Sequence, residues 1–522
     1  MRIFATAVAL SLLAATAAQA QPKVLRYAPA ADLTLLDPMV VTALVTAEYG
    51  MMVYDTLFAF DATMNMKPQM VQNHTVSPDG LSYSFKLRPG LKFHNGQPVT
   101  SADVIPSVSR FMKRDPLARR MAAALASFEP DGADGFKMTF KQPFPFVEMA
   151  LGWSGFGMAA IYPKADTEAD AMKPITSSIG SGPFKFIPSE WKVGATAAWE
   201  KNADYVPRPE APDGLSGGKI PKLDRVELKY MPDASTRGNA LKVGEIDLIS
   251  LVPVDLTRIF KGDPNIVVER IAQIGGEGAI RMNQLQPPFN NLKARQALAH
   301  TIDQAEFMAA AYGDPEWWEQ KGCYSWFVCG SPLGTEAGSE PYRKPDLAKA
   351  TQLLKESGYD GKPLVILTVT DVPSQYGMAQ VMAGNLRKIG ANVDLQAVDF
   401  GQLFARRENR KTPAEGGWNL IVLGYSAMQL ASPLNNPIID SSCERAHFGW
   451  PCDETIEKLK SAYQNENDPL KRKAIVEDLS KAAWNSLPSI LTGMYYNALA
   501  RRSTVTGVVR APHLVFWNVE KK

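Results

Sequence analysis

Between Pro363 and Val398 the chain reads strand, helix, strand with links of only a few residues. Pro363 to Thr370 is a buried strand, and Met378, Met382, Leu386 and Ile389 fall at helical spacing ahead of Gly390 as a C-terminal stop. Val393 to Val398 is the second strand. Two strands joined in this way form a parallel crossover, which fixes the class as α/β. Antiparallel structure is written elsewhere: Leu81, Tyr83, Phe85 and Leu87 alternate with Ser82, Ser84, Lys86 and Arg88 before Pro89-Gly90 turns the chain. Asp346 caps a helix running through Leu353 and Leu354 to Gly358, and Asp468 caps another that starts at Pro469. Pro207 to Lys222, rich in Pro and Gly, reads as a surface loop. Thr100 and Asp103 make a capping box, but Pro106 removes a donor inside the helix they open, so that helix is expected to start late.

The chain has 522 residues, enough for three or more compact units. Its 56 Lys and Arg against 54 Asp and Glu give a net charge of +2, which excludes capture of nucleic acid or of an anionic membrane by bulk electrostatics. The N-terminus carries an address. Arg2 is the only charge before Lys23, Ile3 to Ala18 is apolar or small, and Ala18-Gln19-Ala20 is the small-x-small pattern a signal peptidase needs. Cleavage after Ala20 is expected, giving a periplasmic protein of net charge +1. The strongly apolar part is shorter than the roughly 20 residues a membrane span requires, and no Cys adjoins the cleavage point to take a lipid.

Export changes how the cysteines read. Cys323 and Cys329 enclose five residues and Cys443 and Cys452 enclose eight. In an oxidising compartment an even number of this kind argues disulfides, and the two local pairings are the favoured ones of three. Loops this short restrict the unfolded chain by roughly 2 to 3 kcal/mol each, so the bridges are expected to pin surface loops. Catalytic motifs give no lead: Gly152-Trp153-Ser154-Gly155-Phe156 lacks the second glycine in register for a GxSxG elbow, Gly276-Glu277-Gly278 ends in Arg281 where GxGxxG needs its last glycine, no Walker A or HExxH occurs, and the five histidines have no metal-ligand spacing.

One long stretch carries a family pattern. From Pro68 the chain reads PQMVQNHTVSPDGLSYSFKLRPGLKFHNGQPVTSADV. Arg110, Gly180-Ser181-Gly182-Pro183-Phe184, Asn202 with Tyr205, and Gly244-Glu245-Ile246-Asp247 follow. Then come Arg295-Gln296-Ala297-Leu298, Ile302-Asp303, and Ala350, Leu353, Leu354 with Gly358-Tyr359. This ordered set resembles the dipeptide and oligopeptide-type solute-binding proteins of ABC importers, family 5 of the bacterial extracellular solute-binding proteins. Most of the landmarks have a local reading as turns and caps, such as Pro78-Asp79-Gly80 and His94-Asn95-Gly96.

The resemblance implies a two-lobed periplasmic-binding-protein fold with an extra antiparallel subdomain on the first lobe. Lobe I would comprise 21–57, 178–278 and 488–522, the extra subdomain 58–177, and lobe II 279–487. It also implies a monomer that captures a small solute between its lobes and delivers it to a membrane permease, with no cofactor, no nucleic acid and no reaction catalysed. A secreted hydrolase using unidentified carboxylates is the alternative of another class.

In peptide-binding members an aspartate in the segment resembling Trp418 to Pro437 pairs with the ligand's ammonium. Here that segment is WNLIVLGYSAMQLASPLNNP, without a carboxylate, and Ser432 falls near the family's aspartate. The expected ligand is therefore a sugar, an opine-like conjugate or an aromatic acid, with a peptide or metal chelate as the alternative. Candidate pocket residues are Tyr425, Met428, Asn283, Tyr49, Trp153, Trp326 and Tyr495, no metal ligand being among them. Trp326 is expected at the cleft rim, presented by the loop between Cys323 and Cys329.

Overall fold

The computed structural model describes residues 22–40, 43–155, 157–168, 170–370 and 372–522; the expected signal segment, 1–20, lies outside them. Two large sheets organise the chain into two lobes. The first has seven strands, in the order Ile266–Arg270, Ala498–Arg502, Leu248–Ile249, Val24–Ala28, Arg225–Lys229, Thr196–Lys201 and Phe184–Phe186. Val24–Tyr27 runs parallel to Arg225–Leu228, and Tyr27–Ala28 parallel to Leu248–Ile249. The second has five strands, ordered Val393–Val398, Leu364–Val369, Leu420–Tyr425, Gly276–Met282 and Ile490–Tyr495. Leu364–Val369 pairs in parallel with both of its neighbours and is buried throughout, as a strand apolar at every position but Thr368 and paired on both sides requires. The helix Pro373–Lys388 makes the crossover. A separate four-stranded antiparallel sheet holds Val71–Val76, Ser82–Leu87, Gly135–Phe140 and Leu125–Pro130 in that order, with Tyr83, Phe85 and Leu87 facing inward.

The chain passes between the two large sheets twice, through 271–275 and 496–497. The amide of Ile271 donates to the carbonyl of Asn497 at 3.0 Å, so the two passages lie side by side. Ile490–Tyr495 is hydrogen-bonded into the five-stranded sheet, and the chain re-enters the seven-stranded one only at Ala498, later than Pro488.

Three local expectations are corrected. The helix Ser101–Met112 does not start late. The Thr100–Asp103 capping box holds its first turn, and Pro106 forfeits only the bond its own amide would have given. The stretch from Pro207 to Lys222 is not wholly a surface loop, because Gly214 to Lys219 is buried and Lys219 pairs with Asp55 in the interior. The bridges Cys323–Cys329 and Cys443–Cys452 are formed, but the first does not pin a surface loop: Ser325, Trp326, Phe327 and Val328 between its cysteines are all buried. The buried apolar side chains of Trp326, Phe327 and Val328 make that loop part of the core.

Candidate functional site

A cleft of about 250 Å³ opens where the two lobes face each other beside the crossing segments. The first lobe contributes an apolar wall from Pro38, Leu44, Met158, Leu251 and Pro512, with Ser154 and His513 as polar groups. The second contributes Gly424, Ser426 and Gln429, and Ile271 and Asn497 close the hinge side. None of the described lining residues is Asp, Glu, Lys or Arg.

Each polar group is held by local structure. His513 Nε2 lies 3.0 Å from the carbonyl oxygen of Ser154. A carbonyl only accepts, so the assigned tautomer carries its hydrogen on Nε2 and leaves Nδ1 as an acceptor. Nδ1 is shielded from solvent and has no partner among the described residues. Burial pushes the imidazole pKa down, which favours the neutral ring. Across the cleft, Ser426 and Gln429 form a capping box on the short helix Ala427–Leu430. Gln429 Oε1 accepts from the Ser426 amide at 3.0 Å, so the Nε2 amide group remains as the donor. Gly424 keeps this wall flat: a Cβ there would lie 2.8 Å from the Tyr495 hydroxyl.

Two carboxyl groups lie buried near the site. Glu48 follows Ala47, a lining residue, on the helix Leu44–Val53, and the Ser250 and Tyr27 hydroxyls lie beside it. Burial raises the Glu48 pKa to about 8, so it holds its proton at neutral pH. Glu277 accepts from the Gly493 amide at 2.9 Å, and burial likewise pushes its pKa up. The described lining thus carries no carboxylate, ammonium or guanidinium, and Asp37, next to the lining Pro38, is paired with Arg110 in the interior. Among the described residues no three His, Cys, Asp or Glu side chains come together to hold a metal ion.

The seven residues singled out from sequence are not on the cleft surface. Trp153, Tyr425 and Met428 adjoin lining residues in the chain and stand one layer behind them, buried. Tyr495 stands behind Gly424, donates to the Tyr425 carbonyl at 3.3 Å and stacks on Tyr312 at 4.8 Å. Tyr49 packs against Phe186 at 5.2 Å in the first lobe's core. Trp326 is not at the rim; it packs on Trp484 at 4.9 Å under the second lobe. Asn283 sits at the far end of the five-stranded sheet, donating to the Trp418 carbonyl at 3.1 Å. Ser432 is buried and accepts from the Leu434 amide at 3.3 Å. The aromatic and amide side chains expected as ligand platforms instead fill the wall behind smaller residues or the cores of the lobes. His513, Gln429 and Ser154 were missed, and only the Ser-x-x-Gln spacing of the capping box was a legible signal.

A wider cavity of about 1200 Å³ opens at the opposite end of the five-stranded sheet, beside Pro287, Tyr359 and Asn419. Two of its polar groups are engaged within the lobe: the Tyr359 hydroxyl donates to the Lys362 carbonyl, and the side-chain amide of Asn419 to that of Pro287. It is lined by one lobe alone, so closure of the lobes cannot register an occupant. The smaller cleft is the functional candidate for that reason.

The family model described as bacterial extracellular solute-binding proteins, family 5 middle, matches residues 65–443. A Sinorhizobium fredii protein described as a probable peptide ABC transporter periplasmic-binding protein, y4tO, is 35% identical over 98% of this chain and 96% of its own length. The glutathione-binding protein GsiB of Pectobacterium atrosepticum is 26% identical over 92% of this chain and 91% of its own. Among solved structures, NikZ from Campylobacter jejuni in complex with Ni(L-His) superposes with a TM-score of 0.79 at 22% identity, covering 96% of this chain and 100% of that one. AgaA of A. tumefaciens R10 with agropinic acid gives 0.77 at 22%, over 96% and 99%. These likenesses establish the fold. No helix among the described residues is long and apolar enough to cross a membrane. The chain belongs to the bacterial extracellular solute-binding proteins, family 5, the solute-binding components of ABC importers.

Proposed function

We propose that this protein is exported, works as a monomer without catalysing a reaction, and encloses a compact, uncharged, hydroxyl-rich solute for delivery to its permease. The division into lobes belongs to the same reading: 22–270 with 498–522 form one jaw, including the antiparallel subdomain, and 276–495 the other. The neutral cleft is the observation that carries it. His513, a neutral ring with Nδ1 unengaged, lines the cleft from one lobe, and Gln429, with Nε2 as a donor, from the other. A solute that touches both gains affinity only for the closed state, which is what shifts a hinged protein's population. Enclosing an ammonium or carboxylate without a partner costs on the order of 3 to 5 kcal/mol, more than two decades of affinity. Free peptides are disfavoured on that ground. The solutes named for the relatives differ from one another, so the site and not the fold must decide. Trp153, Tyr425, Met428 and Tyr495 support the walls in this reading; Tyr49, Asn283 and Trp326 have no part in binding.

A thermal-shift screen tests it. Neutral monosaccharides, sugar–amine conjugates, and di- and tripeptides are offered to the mature chain. A ligand at a hundred times its dissociation constant adds roughly 2.7 kcal/mol of stability, and the neutral sugars are expected to give the largest rise. His513→Ala and Gln429→Ala should each abolish that rise. Peptides giving the largest shift, undiminished in both variants, would overturn the proposal. Hydrolysis products in the same incubations would revive the hydrolase reading.

A further inference from the structure

The second lobe reaches across to the antiparallel subdomain through the tip of a helical hairpin, Glu454–Asn465 and Pro469–Ser486. The hairpin is rooted in its own lobe, where Val476, Leu479 and Ala483 are buried and Trp484 packs against Trp326 and Tyr342. Its second helix, about 27 Å long at 1.5 Å per residue, ends just before the strand Ile490–Tyr495, which runs toward the crossing segments. The first turn of that helix and the end of the preceding one meet the subdomain. There Tyr463 stacks on Phe146 of the subdomain, with ring centroids 5.0 Å apart and planes 25° from parallel. The Arg472 guanidinium lies 5.4 Å from the centre of the Phe146 ring. Arg120 Nη1 donates to Gln464 Oε1 at 3.0 Å, across 344 positions of sequence. Phe146 continues inward through Phe144 and Phe140 to Tyr83, so the subdomain side is rigid.

We propose that this contact is a latch that sets the balance between open and closed lobes before any solute arrives. The subdomain is tied to the first lobe's side, for example by the Leu215 amide donating to Phe60 at 2.9 Å and the Ala62 amide to Asp213 at 3.0 Å. A rotation about 271–275 and 496–497 must then pull Phe146 away from Tyr463. Both rings are almost wholly buried with the lobes together, and parting exposes both to water. The polar rim, Arg120 with Gln464 and Arg472 over the ring, confines the pair to one seating. The contact touches no residue of the cleft, so it biases closure without affecting which solute is selected.

The test uses the mature chain without solute, in X-ray scattering. Tyr463→Ala is expected to raise the open-to-closed ratio about three- to tenfold, read as a larger radius of gyration, while Tyr463→Phe, which keeps the ring, stays at the wild-type value. Arg120→Ala combined with Gln464→Ala should move the radius the same way by less. An unchanged radius in both Tyr463→Ala and the polar double variant overturns the latch. Should Tyr463→Ala lose its fold by circular dichroism, the polar pair alone decides. No solute enters the measurement, so failure of the latch and failure of the proposed ligand class are separate results.

Discussion

Lys219 Nζ lies 2.5 Å from Asp55 Oδ1, and neither side chain reaches water. Asp55 also accepts from the Tyr205 hydroxyl at 2.8 Å, and the ammonium sits 4.8 Å from the centre of the Trp517 ring. Three stretches remote in sequence, around 55, 205–219 and 517, are thereby joined inside the first lobe. A buried ion pair adds little net stability, but removing one partner strands the other in a low dielectric.

Lys219→Met is accordingly expected to lower unfolding free energy by about 3 to 5 kcal/mol, measured by urea denaturation. Adding Asp55→Asn should recover part of that loss, because the stranded charge is gone. A cost below about 1 kcal/mol for Lys219→Met would mean the pair behaves as an exposed one.

Glu48 makes stability depend on pH. Its folded pKa is raised from 4.5 to about 8 by burial, so between those values the native state holds a proton that the unfolded chain has released. Stability from this group is full below about pH 4.5, falls as pH rises, and is lost through about pH 8, by up to about 1.4 kcal/mol per unit. Glu48→Gln removes the titration and should flatten the melting temperature over that range. An identical slope in the variant would show that another group is responsible.

Arg281 is a buried guanidinium paired with neutral acceptors. It donates to the carbonyls of Phe448, Pro437 and His447 and to the Ser489 hydroxyl. His447 and Phe448 lie in the loop closed by Cys443–Cys452. Arg281→Lys keeps the charge but loses the planar fork, leaving buried carbonyls unpaired at about 1 to 3 kcal/mol each. Replacing both cysteines by Ala should cost about 2.5 kcal/mol by loop entropy. Because one loop serves both, the combined variant should depart from additivity by at least about 0.5 kcal/mol in chemical denaturation; strict additivity would show the bridge and the cage to be independent.

What the sequence by itself determined are features whose partners lie within a few residues. The alternation from Ser82 to Leu87, the parallel crossover from Leu364 to Val398, and the caps at Thr100, Asp346 and Asp468 all appear where spacing placed them. Both disulfides are local and formed as paired above. Only the tertiary structure decided which side chains meet across the cleft. His513 and Gln429 come from opposite lobes, Lys219 finds Asp55 164 positions away, and Tyr463 finds Phe146 over a longer interval still. Periodicity reports that a side chain faces inward but not what it faces, because short-range backbone geometry repeats every two or 3.6 residues whichever way the elements are later stacked. Tyr49 and Trp326 illustrate this: their aromatic character made them candidates for the cleft, and the packing of whole sheets placed them in the core.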